Sequence, residues 1–273
     1  MQVTEPIFDT WKARLGLAFE LRNGKTVLAE KRFEGPLAVQ KPFYPEGEDL
    51  CHAIVVHPPA GMAGGDDLEI SLRIDEGARA LLTTPGATKW YRSRGAPARQ
   101  RLSFDVDGDL EWLPQESIFF DGTIAEMESS VRLGASARYV GWEILCFGRT
   151  GSGETLETGS LSLRTTIERE GKPLWRERGE IEAAARLARS AAGLAGKTVC
   201  ATLVAAAPEI GAGTLSACRA VEGVASTLLP GVLVARCLVD SGEEARRGLV
   251  RIWKAVRPSI FGRDAIEPRI WST

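Results

Sequence analysis

Histidine is almost missing from this 273-residue chain, with only His52 and His57 present. A Ser-His-Asp triad needs a histidine, and neither of the two sits in a nucleophile elbow. Five cysteines, at 51, 146, 200, 218 and 237, are scattered, odd in number and free of any Cys-x-x-Cys pair. That pattern argues against a disulfide framework and for reduced thiols in a cytoplasmic protein. With so few histidines it also argues against a structural zinc site. No Gly-x-x-x-x-Gly-Lys-Ser/Thr occurs, so the chain has no P-loop. No run of about 18 apolar residues occurs, so no membrane span is expected. The start, Met-Gln-Val-Thr-Glu-Pro, has neither the basic residues nor the apolar stretch of a secretory signal. The formal net charge of −2 gives no electrostatic reason to expect nucleic acid or anionic membrane as partner.

What is present reads as a water-soluble globular chain, 44% apolar and 26% charged. Over the first two thirds, short strands recur with turns between them, which predicts an all-β core, sandwich, barrel or β-helix-like, rather than alternating β/α units. Ala13, Leu15, Leu17, Phe19 and Leu21 alternate along one strand, Asn23-Gly24 is a hairpin turn and Lys25–Phe33 the return. Leu68–Ile74 and Ala78–Thr84 flank a turn at Glu76-Gly77. Arg99–Val106 and Asp109–Leu113 read as a hairpin turned at Asp107-Gly108. Thr155–Ile167 and Pro173–Ile181 read as another, turned at Glu170-Gly171. The last third predicts helices within 208–223 and from Ser241 onward. The second has Ala245, Leu249, Ile252, Trp253 and Val256 on one face, Lys254 and Arg257 in its last turn, and Pro258 ending it. Trp271, near the chain end, is expected to dock. The whole is expected to be one mainly β (α+β) domain spanning 1–273, with about two helices near its C-terminal end.

The chemistry-bearing residues concentrate between His57 and Ser93. Two Gly/Pro-rich turns bracket the alternating run Leu68–Ile74. The first carries His57, Asp66 and Asp67, and the second Thr84, Thr88, Lys89 and Arg92. The Asp66-Asp67 pair suits acid/base work, but adjacent strand residues point to opposite faces. A structural role, with Asp66 capping the turn and Asp67 in solvent, competes with it. Gly148–Glu154 is glycine-rich without the lysine of a phosphate cradle, and a turn built on a buried Arg149–Glu154 interaction fits it better. His57, Asp66, Glu143, Cys51 and Cys146 are residue types that bind a borderline divalent ion, without a compact binding motif. Glu143 stands between Trp142 and Ile144. Such an acid is either paired, to Lys89 or Arg149, or lines a polar cavity.

Several long segments together resemble the UreD (UreH) family of urease accessory proteins. They are Gly35-Pro-Leu-Ala-Val-Gln-Lys-Pro-Phe-Tyr-Pro-Glu-Gly47, His57-Pro-Pro59, Gly64-Gly-Asp-Asp-Leu68 and Thr83-Thr-Pro-Gly-Ala-Thr-Lys-Trp-Tyr-Arg-Ser93. Leu110-Glu-Trp-Leu-Pro-Gln-Glu-Ser-Ile-Phe-Phe120, Trp142-Glu-Ile-Leu-Cys-Phe-Gly-Arg149, Gly153-Glu154 and Pro268-Arg-Ile-Trp271 complete the set, so the likeness runs nearly end to end. Ala60 stands where the family usually has glycine in its Pro-Pro-Gly-Gly turn, and Met62-Ala63 replaces a β-branched pair. The resemblance implies a β-helical layered fold with two helices and a non-enzymatic role. The implied partners are the accessory proteins UreF and UreG and the urease apoprotein subunits. It also implies nickel in transit, rather than a tightly bound cofactor, through an internal polar channel. Asp66, Thr88, Lys89, Glu143 and Glu177 match family positions near that path, with Asp66, Glu143 and Glu177 as transient metal contacts. His57 and Arg149 are the further channel candidates. An adaptor that conducts no metal is one alternative, and a carboxylate-dependent hydrolase using Asp66 or Glu143 another.

Overall fold

The computed structural model describes residues 11–183 and 186–272. Its core is built from repeated rungs in which a strand of one sheet turns a corner into a strand of a second. The first sheet contains β1 (Lys12–Arg22), β2 (Lys25–Glu34), β6 (Asp67–Ile74), β9 (Ala98–Val106), β12 (Thr123–Leu133), β14 (Gly159–Arg169) and β15 (Lys172–Glu182). Its order is β15-β14-β12-β9-β6-β1-β2. The second sheet contains β3 (Ala38–Val39), β4 (Cys51–Val56), β7 (Arg79–Thr83), β10 (Asp109–Leu113), β13 (Arg138–Phe147), β16 (Val199–Ala206), β17 (Ala225–Leu229) and β18 (Val232–Val239). Its order is β17-β18-β16-β13-β10-β7-β4-β3, with β5 (Gly61–Met62), β8 (Thr88–Trp90) and β11 (Ser117–Phe119) branching from β13.

The rungs β6→β7, β9→β10 and β12→β13 stack with parallel pairing in both sheets. The turns at Glu76-Gly77 and Asp107-Gly108 therefore change sheets, and the expected hairpin of β9 with β10 does not form. Glycine is required at 108 because a Cβ there would lie 2.2 Å from the Ala78 carbonyl oxygen of the rung beside it. The two hairpins expected at Asn23-Gly24 and Glu170-Gly171 do form, β1 with β2 and β14 with β15, antiparallel, with all four turn residues at positive φ.

Hydrophobic patterning explains the layering. Strand β6 alternates buried Leu68, Ile70, Leu72 and Ile74 with partly exposed residues, as a sheet with one wet face must. Strands β10, β13, β16 and β18 are buried on nearly every residue, because both faces of their sheet are covered. The covering helices are α2 (Ala212–Arg219) and α3 (Gly242–Phe261), after the four-residue α1 (Arg186–Arg189). Helix α3 lays Ala245, Leu249, Ile252, Trp253 and Val256 on the second sheet, the face expected from their spacing. Trp142, Trp253 and Trp271 pack ring against ring, with centroids 5.4–6.4 Å apart, and the Trp271 indole donates to Thr83 Oγ1 at 2.8 Å. The tail is thus docked.

Two expectations for α3 are corrected. Pro258 does not end it; the helix runs one turn further, to Phe261, and stops at Gly262 in a left-handed conformation. Pro258 is exposed, so the Lys254 carbonyl that loses its amide donor lies on the wet side of the helix. Arg257 is not a surface cation of the last turn but is fully buried. Its guanidinium donates to Glu46 at 2.7 and 2.9 Å, to Glu111 at 2.9–3.1 Å and to the Asp264 carbonyl at 2.5 Å. Glu111 also accepts from the Trp253 indole at 2.6 Å, and Glu46 lies 2.9 Å from His52 Nε2. This network ties the loop before β4 to helix α3, so the loop 42–47 packs on its own domain as its composition predicts. Burial pushes the Glu111 carboxyl up despite Arg257, whereas Glu46, also pushed up by burial, is held low by hydrogen bonds from His52 and Arg257.

Candidate functional site: a polar lane between the sheets

The two sheets enclose a cavity of about 330 Å³. Period-two geometry fixes which side chains reach it. On β13, Tyr139, Gly141 and Glu143 share the inward face with Leu145 and Phe147. Glu143 is in register with Thr202 on β16, and Thr202 with Arg236 on β18. In the first sheet, Ser129 on β12 is in register with Thr165 on β14, and Thr165 with Glu177 on β15. Two polar rows, Glu143–Thr202–Arg236 and Ser129–Thr165–Glu177, therefore face each other across a cavity that Gln100 and Tyr139 also line and whose remaining lining is mostly apolar. Arg236 bridges them. It pairs with Glu177 across the gap, and its Nε donates to Thr202 Oγ1 at 3.0 Å.

Glu143 has no hydrogen bond or ion pair among the described residues. Of the two readings its sequence left open, the cavity-lining one holds, and neither Lys89 nor Arg149 is its partner. Burial pushes its pKa up to about 7, Glu177 adds to the rise, and Arg236 opposes it. Other polar groups around the cavity also lack partners among the described residues. The buried atoms among them include Trp175 Nε1 and both ring nitrogens of His57, and the Tyr139 hydroxyl, on a residue 5% exposed, is unpartnered as well. Buried polar atoms without partners are rare in folded proteins and mark places where water or a ligand completes the bonding. Burial lowers the His57 pKa, against the pull of Asp66, so the ring is neutral at pH 7.

A glycine is needed between the two inward polar side chains of β13. A Cβ on Gly141 would stand 1.9 Å from Tyr139 Oη and 2.4 Å from its ring. Gly141→Ala is expected to cost about 1–3 kcal/mol by overpacking, measured by chemical denaturation.

The cavity is also lined by the turns that follow β4, β7 and β10: His57 and Ala60, Thr84 to Thr88, and Pro114, Gln115 and Ser117. Thr84 Oγ1 accepts from the Gln115 amide at 2.9 Å and so joins two of these turns. Ala60 sits at φ +56°, a left-handed conformation that costs a non-glycine residue about 1–2 kcal/mol. That is the physical reason glycine suits this position.

The expected site residues divide accordingly. His57, Thr88, Glu143 and Glu177 line the cavity. Asp66 instead holds the first turn, accepting from the Ala63 amide at 2.7 Å and the Trp11 amide at 3.0 Å. Asp67 pairs with Arg101 at 3.0 Å rather than standing free in solvent. Lys89 is exposed on β8. Arg149 is exposed, stacks on the Phe120 ring at 4.3 Å and pairs with Glu154; that interaction is formed, but at the surface rather than buried. The five cysteines are all free. Among the described residues no group of three His, Cys, Asp or Glu side chains converges to hold a metal ion. The lane instead offers two carboxylates on opposite walls. Ser129, Thr165, Thr202, Tyr139 and Arg236 were missed from sequence. Their signal was polar side chains at the inward positions of alternating strands, such as Thr165 among Leu161, Leu163 and Ile167.

A model of the family described as UreD urease accessory protein matches residues 12–272. The chain belongs to the UreD family. Its relatives are similar over their full length. The urease accessory protein UreD of Dechloromonas aromatica (strain RCB) is 49% identical, covering 97% of this chain and 95% of that protein. That of Azoarcus sp. (strain BH72) is also 49% identical, over 96% and 94%. That of Pseudomonas aeruginosa (strain PAO1) is 45% identical, over 96% and 95%. Family membership gives the chain an accessory role in urease maturation, and the layered β-fold with two longer helices agrees with the family likeness. No helix among the described residues is long and apolar enough to cross a membrane.

Proposed function

We propose that this protein serves urease maturation by passing nickel, as cargo, along the lane between its sheets. It does so while bridging the urease apoprotein to UreF and the GTPase UreG, in the cytoplasm and without catalysing a reaction of its own. The observation that carries this reading is the pair Glu143 and Glu177, on facing walls of one internal cavity and backed by hydroxyl rows on both sheets. A conduit has to hold its ion weakly. Two carboxylates and a few hydroxyls make an oxygen-rich, low-coordination place that a borderline divalent ion enters and leaves, unlike a three- or four-ligand nitrogen and sulfur site. The neutral His57, which lines the same cavity, is a further, softer contact.

The reading is tested in cells supplied with nickel, the urease subunits and the other accessory proteins. This chain is present, absent, or present as Glu143→Ala or Glu177→Ala. Without the chain, purified urease is expected to lack nickel. With either variant it is expected to carry several-fold less nickel, while the variant still co-purifies with its partners. Full nickel loading by both variants would leave the pure adaptor reading, in which the protein positions UreG and conducts nothing.

A further inference from the structure

Arg236 is an unexpected occupant of such a lane. Its guanidinium lies between the sheets, paired with Glu177 and bonded to Thr202, in the same cross-strand row as Glu143. A passage for a divalent cation thus has a resident cation at its carboxylates. Both members of the pair are half-buried, the Arg236 side chain 39% exposed and Glu177 29% exposed, so the pair sits where lane meets solvent. Glu143, also partly buried, lines the same cavity without a hydrogen-bond or ion-pair partner among the described residues. The Tyr139 hydroxyl, on a side chain only 5% exposed, lines the same cavity and also lacks one. The lane therefore has bonding capacity left for something that the protein's own residues do not supply.

We propose that Arg236 is a displaceable counter-ion. In the empty protein it occupies the Glu177 carboxylate. An arriving divalent cation takes Glu177 and Glu143 together and drives the guanidinium out toward solvent, and the return of Arg236 to Glu177 then helps expel the ion. No covalent bond is made or broken: the Arg236–Glu177 hydrogen bond opens, the cation exchanges bound water for carboxylate oxygens, and the guanidinium is hydrated in turn. The geometry permits it because arginine has a long flexible stem and, on an edge-proximal strand, an exposed route outward. Arg236 is hydrogen-bonded to Glu177 alone of the two carboxylates and reaches Glu143 only through its charge. This proposal rests on the cavity being a cation passage.

The test is calorimetric titration of the full-length chain with Ni²⁺ alone. Arg236→Met keeps the apolar stem and removes the charge. It is expected to tighten Ni²⁺ binding by about tenfold, because one nearby like charge in a partly dry site is gone. Glu177→Gln is expected to weaken binding by a similar factor. In the Glu177→Gln background, Arg236→Met is expected to change affinity by less than about threefold, because the competition acts through that carboxylate. Arg236→Lys retains the charge and keeps binding near that of the unaltered chain. In the nickel-supplied cells, Arg236→Met is expected to lower the nickel content of urease despite its tighter grip, since release is slowed. Arg236→Gln serves as a second neutral variant if the methionine chain does not fold. Weaker binding in Glu177→Gln with unchanged binding in Arg236→Met would overturn the counter-ion role and leave the passage standing. Unchanged binding in both Glu143→Gln and Glu177→Gln, or none detectable in any chain, would overturn the passage and this proposal with it.

Discussion

Arg257→Met is expected to lower the unfolding free energy by about 3–5 kcal/mol, the usual result of removing one partner from a buried ion network. The guanidinium is 0% exposed and holds two carboxylates that are themselves only 4% and 3% exposed. Methionine fills much of the space but donates nothing. Glu46 would keep only its contact with His52, and Glu111 only the Trp253 indole, so two negative charges would remain in a dry place. The Asp264 carbonyl would lose a donor too, and with it the segment after helix α3 loses one of its ties. At about 2–4 °C per kcal/mol for a chain of this size, Tm is expected to fall by roughly 10 °C. Glu111→Gln added to Arg257→Met removes one of the stranded charges and is expected to recover part of the loss. Arg257→Lys is not conservative here, because one ammonium cannot make forked contacts to two carboxylates. Urea unfolding of the unaltered chain and the three variants checks this. A loss below about 1 kcal/mol in Arg257→Met would mean that the network contributes no more than a surface ion pair.

That network also shows where sequence reading stopped. Glu46, Glu111 and Arg257 are far apart in the chain, and nothing local marks them as partners. Arg257 looks like an ordinary basic residue near a helix C-terminus, and only packing puts it inside. Local features were legible because their causes are local. Asn23-Gly24 and Glu170-Gly171 turn tightly because their backbones adopt positive φ, and the apolar spacing of α3 fixes its buried face. The sheet changes at Glu76-Gly77 and Asp107-Gly108 were not legible as such, because a corner and a hairpin use the same turn residues. What separates them is whether the next strand finds its partner beside it or in the rung before. The polar lane lay between these extremes. Glu143 stood out by type and by family position, Glu177 by family position alone. The hydroxyls that line the rest of the lane are visible only once inward and outward faces are assigned, and Arg236 only once β18 is seen to lie two strands from β13.

Glu143→Gln is expected to stabilise the protein at alkaline pH and to do little near pH 4.5. Burial, aided by Glu177, raises the Glu143 pKa from its ordinary 4.5 to about 7. This is opposite to the usual paired carboxylate. Between those pH values the folded chain binds a proton that the unfolded chain has released, so stability falls as pH rises through this window and the loss is complete above about pH 7. A shift of this size corresponds to about 3 kcal/mol. Because the carboxyl faces a cavity that admits water, about 1–3 kcal/mol is the expected gain for the neutral amide at pH 8, or a Tm higher by roughly 2–8 °C. At pH 4.5 both chains carry a neutral group there, and the difference should shrink to a few tenths of a kcal/mol. Melting curves of the two chains at both pH values decide it. Destabilisation by Glu143→Gln at pH 8 would show a carboxylate held by a stabilising partner, contrary to the unpaired geometry. An uncompensated buried acid lowers stability while the lane is empty, and it persists where surrounding structure enforces it. The variant that folds better is also the one expected to load less nickel into urease, so stability and nickel content should move in opposite directions at this one position.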